Sequence, residues 1–246
     1  MKNTVLIVED SRSFALSVEA AINRESHFKV LIALNYEQAV ALVKAHHDDI
    51  FIAVTDLSLP DADDAAAVKL MSEQSIPCIA FTGNFSSTLR DVVLKLGVAD
   101  YVLKKSQHDI EYVVRTINRL STNRKLQLLV VDDARSSREI LKALLQQQCY
   151  EVTAVRSGVE AMDLLAKGHK FRIMLVDLIM DEMDGFQLLS QLRKNYDMTQ
   201  MSIIGISGKA SSEQIAKFMK YGGNDFLLKP FQQEQVACRV NTNAQL

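Results

Sequence analysis

Thr4-Val-Leu-Ile-Val-Glu-Asp10 and Gln127-Leu-Leu-Val-Val-Asp-Asp133 decide the fold. Each is a short apolar run that stops on two adjacent acids. Runs this short and this uniformly apolar suit strands buried on both faces, as in a parallel sheet covered by helices. Three further pairs echo the first. Phe51-Ile-Ala-Val-Thr-Asp56 answers Ile173-Met-Leu-Val-Asp177, Cys78-Ile-Ala-Phe-Thr82 answers Ile203-Ile-Gly-Ile-Ser207, and Asp100-Tyr-Val-Leu-Lys104 answers Asp225-Phe-Leu-Leu-Lys229. The offsets are nearly constant: 133−10=123, 177−56=121, 207−82=125 and 229−104=125. A repeat this long marks duplicated domains, not a solenoid of small units.

Apolar residues with helical recurrence fill the intervals. Residues 12–24 place Phe14, Leu16, Val18, Ala21 and Ile22 on one face, and 137–148 do the same with Ile140, Leu141, Leu144 and Leu145. Residues 36–45, 87–96, 158–167 and 211–221 read alike, with Gly97 and Gly222 as helix stops. Each half is therefore a βα alternation of five units. The expected fold is α/β: two tandem doubly wound domains, 1–122 and 123–246. The polar join 121–125 is short and follows a helical stretch, 110–120, which predicts domains held close together.

Composition narrows the function classes. The chain has 246 residues, 48% hydrophobic and 24% charged, and a net charge of −2 from 28 basic and 30 acidic residues. That balance gives no basic excess for nucleic acid. No apolar run approaches the roughly 20 residues that cross a bilayer, and the N-terminus lacks the features of a signal peptide. Cys78, Cys149 and Cys238 are odd in number and far apart, which predicts a reducing cytoplasm and small buried apolar roles.

The chemistry lies at the strand ends. In open α/β sheets the functional crevice lies beyond the carboxyl ends of the strands. Strands one and three bring Glu9, Asp10 and Asp56 together in one half, and Asp132, Asp133 and Asp177 in the other. Three neighbouring carboxylates repel one another. A hard divalent cation such as Mg2+, one per domain, is the natural compensation, and it would let a carboxylate act as nucleophile. Lys104 and Lys229 end the fifth strands and can set an ammonium against a phosphoryl oxygen or the acceptor carboxylate. Thr82 and Ser207 end the fourth strands and offer hydroxyls to a phosphoryl oxygen. Nucleophile, cation site, ammonium and hydroxyl suffice for phosphoryl transfer, which is mostly positioning and electrostatics.

These residues make both halves resemble response-regulator receiver domains of two-component signalling, over nearly the whole chain. The resemblance implies flavodoxin-like (βα)5 domains with sheet order 2-1-3-4-5. It implies that Asp56 and Asp177 receive phosphoryl groups from a histidine kinase or phosphotransfer protein, with the backbone carbonyls of Ser58 and Ile179 completing the metal shell. Tyr101 and Phe226, three residues before each lysine, match the family's switch aromatic. In the family that ring turns inward as the Thr or Ser hydroxyl moves toward the phosphoryl group, and the face of the fourth helix, fifth strand and fifth helix changes its binding preference. A homodimer through that face also follows from the resemblance.

The second copy matches more closely, with Met183-Asp-Gly185 after the acceptor and Lys229-Pro230 at the end. Asp181 stands where the family usually has proline. The first copy has Asp63-Asp64 in place of the expected glycine and Lys105 in place of proline, and its interval from acceptor to hydroxyl is shorter: 82−56=26 against 207−177=30. That predicts a shorter third helix or flanking loop. The output has two readings: a stand-alone tandem receiver acting as phosphate sink or adaptor, or the input part of a diguanylate cyclase of the GGDEF type, whose signature is absent from these residues. Enzymes on a similar sheet fit poorly. A flavin or dinucleotide site wants a Gly- or Ser/Thr-rich phosphate loop where Glu9-Asp10 and Asp132-Asp133 stand. Haloacid-dehalogenase-like phosphatases need a second aspartate where Ser58 and Ile179 stand.

Overall fold

A strand with neighbours on both edges and helices on both faces has no position for a charged residue, and the opening run has none before Glu9. It forms β1 (Thr4–Val8), in which every residue is buried. The computed structural model describes residues 2–83 and 86–245. The chain divides into two units, Met1–Ser121 and Thr122–Leu246. After β1 the first unit runs α1 (Arg12–Glu25), β2 (Lys29–Ala33), α2 (Tyr36–His46), β3 (Ile50–Thr55), α3 (Ala66–Glu73), β4 (Cys78–Thr82), α4 (Ser87–Lys95), β5 (Asp100–Leu103) and α5 (Gln107–Asn123). All strands are parallel, in the order β2-β1-β3-β4-β5.

The second unit repeats the series as β6 (Gln127–Val131), α6 (Arg135–Gln147), β7 (Glu151–Val155), α7 (Gly158–Ala166), β8 (Ile173–Asp177), α8 (Gly185–Leu192), β9 (Ser202–Ser207), α9 (Ser212–Lys220), β10 (Asp225–Leu228) and α10 (Gln233–Ala244). Its parallel sheet runs β10-β9-β8-β6-β7, the same topology as the first. Both units are doubly wound α/β folds, as expected. The alternation of strand side chains splits the second core into two layers. Leu129, Val131, Met174 and Val176 face one side, with Leu188, Leu192 and Phe218 packed on them. Leu128, Val130, Ile173 and Leu175 face the other, under Leu141, Leu145, Val236 and Val240. Each such fully buried aliphatic side chain is worth about 1.5–3 kcal/mol of transfer free energy.

Gly97 and Gly222 do stop helices, with φ of +80° and +98°. Two expectations need correction and one is narrowed. The helix before the join does not end at Leu120 but continues to Asn123, because Asn123 is itself buried and its side-chain amide donates to the Gln148 carbonyl at 2.8 Å. Of the two places expected for the shorter interval between Asp56 and Thr82, the flanking loop holds it and the third helix does not, since α3 and α8 both have eight residues. It lies in the connection after that helix, Glu73 to Cys78 against Leu192 to Ser202. Of the cysteines only Cys78 is buried, whereas Cys149 is half-buried and Cys238 is exposed on α10.

The loops after Asp56 and Asp177 are held down differently. In the first unit Asp61 accepts from the Tyr36 and Glu37 N–H groups, at 2.8 and 3.0 Å, at the start of α2. Those bonds hold its carboxyl below the usual aspartate range. A carboxylate with a depressed folded pKa contributes stability above its unfolded value, lost as pH falls through the folded one. Asp61→Ala should therefore melt below wild type at pH 7, with the gap closing under acid below the ordinary aspartate range. A gap independent of pH would contradict the anchoring role. In the second unit the side chain of Met183 lies over Gly158, the first residue of α7, where a Cβ would meet its sulfur at 2.8 Å.

Candidate functional site

The loops at the carboxyl ends of β1, β3 and β5 place three side chains of the first unit together. Lys104, just past β5, sends its ammonium between Glu9 and Asp56, pairing with Glu9 Oε2 and lying 2.5 Å from Asp56 Oδ2. The other Asp56 oxygen accepts from the Leu57 N–H at 2.7 Å. Glu9 is buried, and its second oxygen accepts from the Ser11 N–H at 3.2 Å. Burial, foremost, holds its carboxyl above the usual range, although the Lys104 hydrogen bond and charge pull it down. Asp10 is exposed. The ammonium also lies 4.9 Å from the centroid of the Phe14 ring and 5.8 Å from that of Phe81.

The second unit builds the same figure with shorter acids. Lys229 Nζ lies 2.7 Å from Asp132 Oδ2 and 2.5 Å from Asp177 Oδ2. Burial raises the Asp177 carboxyl, and the hydrogen bonds from Lys229 and the Ile179 N–H do not cancel it. The Lys229 ammonium is also raised: burial would lower its pKa, but its bonds to Asp132 and Asp177 outweigh that. Two acids share one base, so the lysine gains two partners while the acids divide one. Charge remains uncompensated in both sites.

That excess fits a hard cation. Glu9, Asp10 and Asp56 each offer a carboxylate oxygen within 4.8 Å of the others, and so do Asp132, Asp133 and Asp177. Every donor is oxygen, the set that Mg2+ prefers. Thr82 and Ser207 are buried at the ends of β4 and β9. Ser58 and Ile179, whose carbonyls the resemblance puts in the metal shell, are exposed and turn their N–H groups to Asp56 and Asp177 at 3.4 and 3.2 Å. The two aromatics differ. Phe226 is buried, whereas Tyr101 is half-buried and its hydroxyl accepts from Arg90 Nε at 3.0 Å.

Residues 5–115 and 128–241 each match the family described as response regulator receiver domain. The chain belongs to that family. Two solved structures of two-component system response regulator/GGDEF domain proteins are similar to it at 35% identity, with TM-scores of 0.87 and 0.86. In each case the match covers 99% of this chain and 98% of the other. The rice (Oryza sativa subsp. japonica) two-component response regulator ORR7 is 32% identical over 103 residues, 42% of this chain and 49% of that protein. A Campylobacter jejuni chemotaxis protein CheY homolog is 33% identical over 107 residues, 43% of this chain and 82% of that protein. Among the described residues no helix is long and apolar enough to cross a membrane.

Three residues of these receivers escape the sequence motifs. Ser137, one turn into α6, donates its hydroxyl to Asp132 Oδ2 at 2.5 Å. Arg138 donates to the Asp132 and Asp133 carbonyls at 2.6 and 2.8 Å. Phe14, four residues beyond Asp10 as Ser137 is beyond Asp133, caps Lys104 instead. Their spacing from the acidic pair is the signal that finds them. Ser137→Ala should lower the stability of the second unit by about 2 kcal/mol, because it removes a donor from a fully buried carboxylate. Chemical denaturation checks this, and an unchanged midpoint would mean the hydroxyl is dispensable.

Proposed function

We propose that each receiver takes a phosphoryl group on the aspartate that follows its third strand run, Asp56 in the first and Asp177 in the second. The donor is a phosphohistidine of a histidine kinase or phosphotransfer protein. An aspartate oxygen attacks phosphorus, the phosphorus–nitrogen bond breaks, and the electron pair leaves on the imidazole, which is then protonated. Glu9, Asp10, Asp56 and the Ser58 carbonyl would hold Mg2+ in the first receiver, and Asp132, Asp133, Asp177 and the Ile179 carbonyl in the second. When bound, the ion neutralises the carboxylates and an oxygen of the incoming phosphoryl group. Lys104 and Lys229 move from aspartate to phosphoryl oxygen as the acyl phosphate forms. Thr82 and Ser207 donate their hydroxyls to another of its oxygens. Tyr101 then carries the change to the α4–β5–α5 face.

The observation that carries this reading is the convergence in both copies of the strand-five lysine on the candidate acceptor, at 2.5 Å. The test is intact mass after incubation with a small-molecule phosphodonor and Mg2+. Wild type should gain phosphoryl groups, Asp56→Ala and Asp177→Ala should each remove one, and the double variant should gain none. Phosphorylation of the double variant would reject the assignment. Loss from only one substitution would reduce the other domain to an adaptor.

A second reading concerns the output. Two solved structures that match nearly the whole chain are described as GGDEF domain proteins, which favours a pair of receivers regulating a diguanylate cyclase. Cyclic diguanylate made by the full gene product, compared between wild type and the Asp→Ala variants, tests it; no product in either would reject it.

A further inference from the structure

Phe226 and Gly205 are register partners on β10 and β9. A Cβ at position 205 would lie 2.7 Å from two ring carbons of Phe226 and 3.0 Å from the Phe218 ring. A Cβ at position 223 would lie 2.2 Å from the same Phe218 ring. Two rings thus occupy the space left by two missing side chains. They meet edge to face, with centroids 5.7 Å apart at 78°, an arrangement aromatic pairs favour. Phe226 is 7% exposed.

The first receiver lacks both notches. At the offset of 125 that relates the two lysines, Ala80 replaces Gly205, Val93 replaces Phe218, Val98 replaces Gly223 and Tyr101 replaces Phe226. Ala80 is the register partner of Tyr101. With a methyl group beneath it and aliphatic side chains around it, the Tyr101 ring is half-buried. Its hydroxyl is held by Arg90 of α4, whose guanidinium lies 5.6 Å from the ring centroid. A tyrosine keeps a polar tip that needs a partner, whereas phenylalanine can be buried whole.

We propose that the two receivers divide the work of reporting phosphorylation. Tyr101 is the mobile ring that answers Asp56. Phe226 is fixed inward by the notch at Gly205, so the α9–β10 face keeps one conformation whether or not Asp177 carries a phosphoryl group. Gly205 acts here as a positioning residue, through the ring. The proposal rests on the acceptor reading and departs from the family resemblance, which makes both rings switches.

Fluorine NMR tests it on the full chain. One sample carries 4-fluorophenylalanine, with the 226 resonance assigned by its loss in Phe226→Leu. The other carries 3-fluorotyrosine, with the 101 resonance assigned by Tyr101→Phe. Beryllofluoride serves as the phosphoryl mimic, and its own bound fluorine signals, lost in Asp56→Ala and Asp177→Ala, report occupancy. The expected result is a shift of the 101 resonance with the mimic and an unmoved 226 resonance. Gly205→Ala should move the 226 resonance and expose it to solvent with no mimic present. Ala80→Gly should draw Tyr101 inward and shrink its response. A 226 resonance that moves with the mimic in wild type overturns the proposal. Absence of bound beryllofluoride signals would fell the acceptor reading, and an unmoved 226 resonance in Gly205→Ala would then fell the notch separately.

Discussion

Lys229→Met should lower the stability of the second unit by about 3 kcal/mol at neutral pH in a chelator, at the lower end of what removing one partner of a buried ion pair costs. Methionine keeps the aliphatic stem and deletes the charge. What remains is Asp132, wholly inaccessible, facing Asp177, whose side chain is 8% exposed, with no cation between them. The Ser137 and Ala134 donors still bind Asp132, at 2.5 and 2.9 Å, but hydrogen bonds do not remove the repulsion between two acids. Calorimetry of the whole chain reads the effect, with the transition of the second unit assigned by a core change such as Leu175→Ala. That transition should drop while the first holds. Mg2+ should restore part of the loss, since ligand at ten times its Kd adds about 1.4 kcal/mol. Equal stability of variant and wild type in chelator would mean that the acids pair through protons, not through the lysine.

Gly185→Ala should cost the same unit about 3 kcal/mol, the upper end of overpacking, and slow phosphorylation of Asp177 while leaving Asp56 unaffected. Gly185 opens α8, and its N–H donates to the Leu178 carbonyl at 3.1 Å. A Cβ there would lie 2.5 Å from the Asp177 carbonyl oxygen and 2.8 Å from Leu178 Cα. Both are backbone atoms, so the peptide of Asp177 itself must shift. The first receiver meets the same constraint differently. Ala65 makes the matching bond, to the Leu57 carbonyl at 2.7 Å, but from a left-handed conformation with φ of 61°, and α3 starts one residue later. This explains how Asp63-Asp64 can stand where the family motif asks for glycine. Unchanged stability and unchanged phosphorylation kinetics in Gly185→Ala would show that the α8 entrance gives way freely.

The central strands were legible because a strand covered on both faces has no polar positions, so β1, β3, β6 and β8 read as unbroken apolar runs. The edge strands β2 and β7 carry mixed burial and no such signature. The short helices α3 and α8 were legible only as intervals, since eight residues give barely two turns of periodicity. Within the sites, the acids and lysines announced themselves through their place at strand ends. Ser137, Arg138 and Phe14 did not, because the same residue types fill ordinary helix surfaces, and their spacing from the acidic pair gains meaning only beside the contacts they make. The different seating of Tyr101 and Phe226 is further from view, as it depends on what lies beneath each ring on the neighbouring strand.

The uneven burial of the three thiols makes this chain a ready single-site conjugation target. Burial pushes the Cys78 and Cys149 thiols up to about 12, leaving them without nucleophilic thiolate at neutral pH, while Cys238 is exposed on α10. A maleimide dye added to the unaltered protein should therefore attach at Cys238 alone, giving the second receiver a spectroscopic address on its last helix without removal of a native residue.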